Sequence, residues 1–408
     1  MARIMLYVSC LFAVALAKTL DLDGDVAKLS ESNVQFSIDL YKKLIADPST
    51  ENIMFSPVSV AAAMAMTHLG AKGDTANQID EVFRFNKLEG KFHSAFGELH
   101  GLLLDKTAEN VTIKSSNRVF ANDQLKVLED YKNALTVYGA QVDSLDFAKN
   151  PEKSVESINN WISEKTDGKI PSMLAKDSVD GNTALVIANA LYFRGNWHSK
   201  FSEQQTEQRA FYVSHYTVVK TPFMFQRGKF RYGYVEELTL QIVELPYAGK
   251  EYSMYVLLPE NFDLKKVEAN LNPENLTRWI SEIGYRTVDI TLPKFKLEES
   301  LNLHEVLPKL GVTDVFDQSK ADLSGLAKKP NLNVDQILHK AVLEVNEEGS
   351  VAAAATTVRI VARSLDIRPE FVANHPFLWA IRHEGTGLVL FMGRLQRPEG
   401  PLMNHDEF

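Results

Sequence analysis

Between Glu347 and Ser364 the chain reads EEGSVAAAATTVRIVARS, and the chemistry this stretch offers is backbone pairing. From Ser350 to Arg363 it contains no Gly, no Pro and no acidic residue, so the backbone can pair along its whole length inside a sheet. Four consecutive alanines, however, make it a poor strand by intrinsic preference. The two-residue side-chain period puts Ser350, Ala352, Ala354, Thr356, Val358, Ile360 and Ala362 on one face, none of them charged. Arg359 and Arg363 fall on the other face, where they stay in water if the first face is buried. Such a segment is able to enter a sheet that it need not occupy at rest. Its flanks agree: Glu347, Glu348 and Gly349 form a polar hinge ending in glycine, and Lys340 to Val345 alternates as a strand does.

Conventional catalytic sets are missing. There is no GxSxG nucleophile elbow and no phosphate-binding GxxxxGK[ST]. His304-Glu305 and His383-Glu384 lack a second histidine at zincin spacing. Asp21, Asp23 and Asp25 start like a calcium loop, but Val26 stands at the turn-glycine position and Ser32 at the glutamate position. The one cysteine, Cys10, lies in the leader. The expectation is a protein without enzymatic activity, metal or cofactor. A net charge of -9 argues against nucleic acid as a partner. Two basic groups, Arg227, Lys229 and Arg231 on one strand face, and Lys87, Lys91 and Lys106 bordering a predicted helix over 88–105, are candidates for a glycosaminoglycan. Acidic neighbours make a solvated face the better reading of the second group.

The 408 residues, 45% hydrophobic, suffice for a large core. Met1 to Ala17 has the form of a secretory signal peptide: Arg3, an apolar run from Ile4 to Leu16, and a small-x-small end at Ala15-Leu16-Ala17. The expected organisation is therefore a leader over 1–17, one domain over 18–401 and a tail over 402–408. Nothing else reads as a membrane span, and a secreted monomer is expected. Asn110-Val-Thr112 and Asn275-Leu-Thr277 are glycosylation sequons. The terminal HDEF resembles a luminal retrieval signal with Phe408 in place of Leu, so retention in the endoplasmic reticulum and a plain tail both stay open.

Several elements must position the inserting segment. Ser30 is expected to cap a helix to about Asp47, Ser56-Pro57 to start a buried Ala- and Met-rich helix to Leu69, and Asn150-Pro151 to start an amphipathic one to Thr166. Strand-like runs follow at 111–121, 183–193, 217–225, 241–245, 253–258, 288–295 and 388–395. Helices and strands mixed without strict alternation argue for an α+β architecture.

At this point the chain resembles the serpin family. FSPVS (Phe55–Ser59), NALYFRGNW (Asn189–Trp197), LPKF (Leu292–Phe295), GVTDVF (Gly311–Phe316), LHKAVLEVNEEG (Leu338–Gly349) and FVANHPFLWAI (Phe371–Ile381) follow one another in the family's order. The resemblance implies the serpin fold, helices around three β-sheets with an exposed reactive-centre loop. It implies that Ser56, Asn189 and His339 sit where the main sheet opens, that Trp197 lies near the point where the loop goes in, and that Lys294 pairs with Glu347 there. It places the reactive bond at Arg363-Ser364, and so implies a suicide-substrate inhibitor of trypsin-like serine proteases. A non-inhibitory chaperone or carrier of the same fold is the alternative.

Overall fold

The computed structural model describes residues 24–48, 50–107, 110–349 and 368–403. The leader, Asp21 and Asp23, the HDEF tail, and the loop positions Ser350, Ala352, Ala354, Thr356, Val358, Ile360, Ala362, Arg363 and Ser364 lie outside the described residues.

The opening helix, α1 (Gly24–Leu44), buries Leu29, Phe36, Leu40 and Tyr41. It starts before Ser30, which is not a cap: Ser30 is buried in the helix interior and its hydroxyl donates to Val26 O at 2.9 Å. A hydroxyl can bond the carbonyl one turn back as readily as it caps, and local sequence does not decide between the two. β1 (Ile53–Phe55) leads into α2 (Pro57–Gly70), whose cap is the expected one, Ser56 Oγ accepting from Ser59 N at 3.3 Å with Pro57 at the first position. Nearly every α2 side chain is buried, because the helix is sandwiched between the two sheets and its alanines let both approach. The helix expected over 88–105 is broken up. Short helical turns end at Leu104, with α4 (Phe92–Leu99) following α3 (Gly73–Phe83), and Asp105–Thr107 is already strand β2. Phe92 and Phe96 turn inward against Phe85, which fixes this irregular path by aromatic packing.

The remaining strands are β3 (Val111–Asn122), β4 (Gln141–Leu145), β5 (Leu185–Gly195), β6 (Glu207–Tyr212), β7 (Val218–Val235), β8 (Leu240–Pro246), β9 (Tyr252–Pro259), β10 (Gly284–Pro293), β11 (Phe295–Asn302), β12 (Gln336–Val345), β13 (Glu370–Val372), β14 (Phe377–His383) and β15 (Val389–Leu395). They form a six-stranded sheet, β11-β12-β5-β3-β2 with β4 on β3, and a nine-stranded one, β1-β15-β14-β9-β8-β7-β10-β13 with β6 on β7. Of the three sheets expected, two are joined in one ladder by the 18-residue strand β7. Leu402 and Met403, assigned above to the tail, are held by the fold: Leu402 bridges Val219, and Met403 N donates to Val218 O at 2.9 Å.

One pairing matters most for function. Within the six-stranded sheet β5 and β12 run parallel, Gln336 to Val342 against Val186 to Tyr192. A parallel pair needs a long crossover and is slightly less stable per residue than an antiparallel one. An amphipathic helix (Pro151–Lys165) covers this seam. Its Val155 and Ile158 pack with Val186, Ala188 and Leu338, and its Ile162 with Ala190 and Val342. Both faces of β12 are therefore buried, Lys340 included, whose Nζ is held by Glu298 at 2.9 Å and Ser172 O at 2.8 Å.

Candidate functional site at the β5–β12 seam

The ladder between β5 and β12 ends at Tyr192 and Val342, although β5 continues to Gly195 and β12 to Val345. Over these last residues each strand is held on its outer side, Gly195 by Val111 of β3 and Val345 by Phe295 of β11. The result is a wedge at the end of the seam, and the hinge sits in its mouth.

Asn346 to Gly349 form a tight turn, with Gly349 N donating to Asn346 O at 3.2 Å. The turn is clasped to the segment that follows β5. Trp197 N donates to Glu348 O at 2.7 Å, Trp197 Nε1 to Asn346 O at 2.9 Å, and Phe201 N to Glu347 O at 2.9 Å. Trp197 is itself stacked on Tyr247 with ring centres 4.5 Å apart. Glu347 is buried, one oxygen accepting from Thr206 Oγ1 at 2.6 Å and the other from Lys294 Nζ at 2.8 Å. Burial works to raise its pKa, but the hydrogen bonds from Lys294 and Thr206 outweigh it and hold the carboxyl below its ordinary value. Gly349 has φ +105°, and a Cβ there would lie 2.5 Å from Trp197 N, 2.7 Å from the Asn196 Cα and closer still to Gly195 O. Only glycine fits.

Deeper in the seam, His339 of β12 lies directly opposite Asn189 of β5. Ser56 N donates to His339 Nε2 at 3.0 Å, so that nitrogen is unprotonated, and Nδ1 carries the proton it gives to Asn189 Oδ1 at 3.0 Å. The same oxygen accepts from the Ser59 hydroxyl. Asn189 Nδ2 donates to Asn117 Oδ1 at 2.6 Å, and Asn117 Nδ2 to Tyr138 O at 3.1 Å. Burial pushes the His339 imidazole down to about 3, so it is neutral at pH 7. The N-terminus of α2 thus straddles the seam: Ser56 bonds the β12 side and Ser59 the β5 side.

All five residues expected at the sheet opening are brought to one seam, Trp197 and Lys294 at its mouth and Ser56, Asn189 and His339 within it. Sequence reasoning missed Thr206, Phe201 and Asn117, because their roles come from partners more than 70 residues away for Asn117 and 140 for the other two. Of the basic groups, Arg227 is paired with Asp289, Arg231 with Glu244 at 2.6 Å, and Lys91 with Asp25 at 3.4 Å. The sequons differ: Asn110 is exposed, with Oδ1 accepting from Asn196 Nδ2 at 3.3 Å, whereas Asn275 stands in the first turn of a helix (Pro273–Glu282) with Nδ2 bonded to Asn270 O at 2.7 Å. Among the described residues no helix is long and apolar enough to cross a membrane, and no three metal-ligating side chains cluster.

Known proteins share this architecture. Uncleaved ovalbumin superposes with a TM-score of 0.84 at 33% identity, covering 91% of this chain and 100% of its own. Human thyroxine-binding globulin complexed with its ligand gives 0.84 at 26% identity, covering 92% and 100%. Leukocyte elastase inhibitor of Homo sapiens is 40% identical over 381 residues, 91% of this chain and 100% of that one. Serpin B6 of Macaca fascicularis is 41% identical over 376 residues, 91% and 99% of the two chains. The family model described as serpin (serine protease inhibitor) matches residues 31–398. The chain belongs to the serpin family, which that description names for serine protease inhibitors, not for enzymes.

Proposed function

We propose that this protein is a suicide-substrate inhibitor of trypsin-like serine proteases, cut at Arg363-Ser364. The observation that carries the reading is the clasped turn at 346–349, which sits at the mouth of the wedge where the β5–β12 ladder ends. A strand that follows this turn runs antiparallel to β12, and because β5 is parallel to β12 it runs antiparallel to β5 too. Insertion replaces one parallel ladder by two antiparallel ones. Ser350 to Arg363 supply about 46 Å of strand at ~3.3 Å per residue, and the uncharged, mostly small face can enter without burying a charge.

Attack by the protease serine on the Arg363 carbonyl forms an acyl-enzyme and releases the Ser364 amine. Insertion then drags the attached protease and distorts its site before water can deacylate it. While the loop is intact both its ends are tethered, so the gain is stored kinetically. Relatives carry the name leukocyte elastase inhibitor, whereas the long Arg363 side chain of this protein suits a pocket bearing a carboxylate. The leader over 1–17 supports secretion.

Mixing the pure protein with trypsin tests the reading. The expected result is a covalent band stable in detergent, with Ser364 as the new N-terminus of the released fragment, and a nicked protein that melts above the intact one. Cleavage without a complex would favour the carrier alternative. A nicked protein melting no higher than the intact one would refute the trap.

A further inference from the structure

Three histidines converge on the turn at Tyr138 and Gly139, away from the wedge and the hinge. His68 stands in the last turn of α2, His93 on α4, and His100 just after it. The His68 and His93 rings are 5.6 Å apart, and both pack on Phe92. His93 Nδ1 lies 2.5 Å from the Tyr138 hydroxyl. His100 closes the other side of the turn: Gly139 has φ +62°, and a Cβ there would lie 2.8 Å from the His100 ring.

The protons decide how this contact works. Burial keeps the Tyr138 hydroxyl protonated, and it has no other partner among the described residues, so it donates to Nδ1 and leaves the His93 proton on Nε2. An imidazolium carries a proton on Nδ1 as well, which sets two donors against each other unless the hydroxyl swings away. The groups around His93 do not compensate such a charge. α2 presents His68, the residue after α4 is His100, and the helix and turn before Gly139 present Tyr131 and Tyr138, both kept protonated by burial. Asp80 of α3 lies 3.0 Å from His68 Nε2, and Asp25 of α1 is engaged by Lys91 at 3.4 Å and Lys28 at 3.8 Å. Burial, with His68 as neighbour, lowers the His93 pKa to about 4.

The turn also reaches the seam. Asn117 Nδ2 of β3 donates to Tyr138 O at 3.1 Å, Asn189 Nδ2 of β5 to Asn117 Oδ1 at 2.6 Å, and His339 Nδ1 of β12 to Asn189 Oδ1 at 3.0 Å. His93 and His339 are therefore the two ends of one run of bonded groups that passes through Tyr138. Displacing the turn takes the acceptor from Asn117, and with it the outer anchor of the Asn117–Asn189 pair.

We infer that His93 and Tyr138 form an acid-sensitive latch on the seam: a proton on His93 drives α4 off the turn at 138–139 and loosens β5 and β12 from outside. The geometry is that of the described side chains, and the consequence for inhibition rests on the proposed parting of the seam. The test follows hydrogen exchange of the β5 and β12 amides in the full chain, wild type against His93→Gln, whose amide still offers Tyr138 an acceptor but takes no proton. Because the pKa is depressed in the closed state, closure is fully favoured above about 6.5 and weakens as pH falls toward 4, by about tenfold per unit. The two proteins should agree at pH 7, and at pH 5 the wild-type seam should exchange about 30-fold faster than the variant. Both keep His339, so its own titration cancels in the ratio. A ratio within twofold at pH 5 would overturn the latch. Should the variant not fold, histidine and asparagine resonances of the wild type decide: a His93 midpoint near 4 that moves the Asn117 and Asn189 side-chain amides supports the latch, and a midpoint at 6 or above, or amides that stay in place, overturns it. Neither readout uses a protease, so failure of the wild type to trap trypsin would defeat the inhibitory reading alone.

Discussion

Glu347→Gln is the sharpest test of the clasp at the wedge, because it keeps the side-chain shape while removing the charge and turning one of the two acceptor oxygens into a donor. In the intact protein Glu347 accepts two charge-assisted hydrogen bonds, from Thr206 and Lys294. A bond to a charged partner contributes about 1.5–3 kcal/mol and a neutral one about 0.5–1.5, so each loses roughly 1–1.5 kcal/mol on substitution. Lys294 is about one-third exposed and can rehydrate, which reduces its share to a few tenths. The net loss is about 1.2–1.8 kcal/mol, and it falls on the intact state if insertion draws the turn away from Thr206 and Lys294. If the clasp opens before the barrier, spontaneous loop insertion should accelerate roughly 7- to 20-fold, at about 1.4 kcal/mol per factor of ten. The assay is the half-life of trypsin-inhibiting capacity at one elevated temperature. A second arm uses pH. Glu347 has its folded pKa depressed, so its contribution is full above the unfolded value of about 4.3 and is lost as pH falls through the folded one. Wild type and variant should therefore converge in acid. Half-lives within twofold at pH 7, or a gap that persists unchanged in strong acid, would refute the clasp.

Three further outcomes follow from the same geometry. His339 is buried neutral with a depressed pKa, so an opened seam takes up a proton below about 6.5 that the closed seam refuses until about 3; stability is full above pH 6.5 and falls as pH drops. Between pH 6.5 and 5 this group should cost about 2 kcal/mol at ~1.4 kcal/mol per unit, and His339→Gln should flatten that part of the denaturation-versus-pH curve; an unchanged slope would exclude His339 as its source. Gly349→Ala should lower the guanidinium midpoint of the intact protein by the equivalent of about 2 kcal/mol or more, since the turn must leave its backbone contacts; a midpoint equal to wild type would show that the turn can shift freely. If the proposed mechanism holds, Ala354→Arg should give cleavage by trypsin without a covalent complex, because a charge would have to enter the seam unpaired; persistent trapping would overturn the face assignment.

Two kinds of information are mixed in this chain, and only one is local. The Ser56-Pro57 helix start, the amphipathic face Val155, Ile158 and Ile162, and the pairing strand before the hinge were readable because caps and periodicity act over a few residues. Ser30 misled because its hydroxyl satisfies a carbonyl within the helix, an option equally local and invisible to sequence. The joining of two sheets by β7 needed the length of one strand, which residue pattern does not bound. At the seam the contrast is sharper. Trp197, Lys294 and Glu347 were placed there by resemblance, and no spacing rule joins Glu347 to Thr206 or His339 to Ser56. What explains their convergence is the parallel seam itself. β5 and β12 are brought side by side only by a crossover of about 140 residues. The polar groups that such a crossover buries must be satisfied from whatever elements it carries past, here α2, β3 and the turn after β12. On the proposed mechanism this seam must part, and its histidine, two serines and two asparagines are groups that can exchange one hydrogen-bond partner for water or for the backbone of an inserted strand. The apolar cover is the part that must be remade, since Val155 and Ile158 touch both β5, at Val186 and Ala188, and β12, at Leu338, and have to slide over a widened sheet.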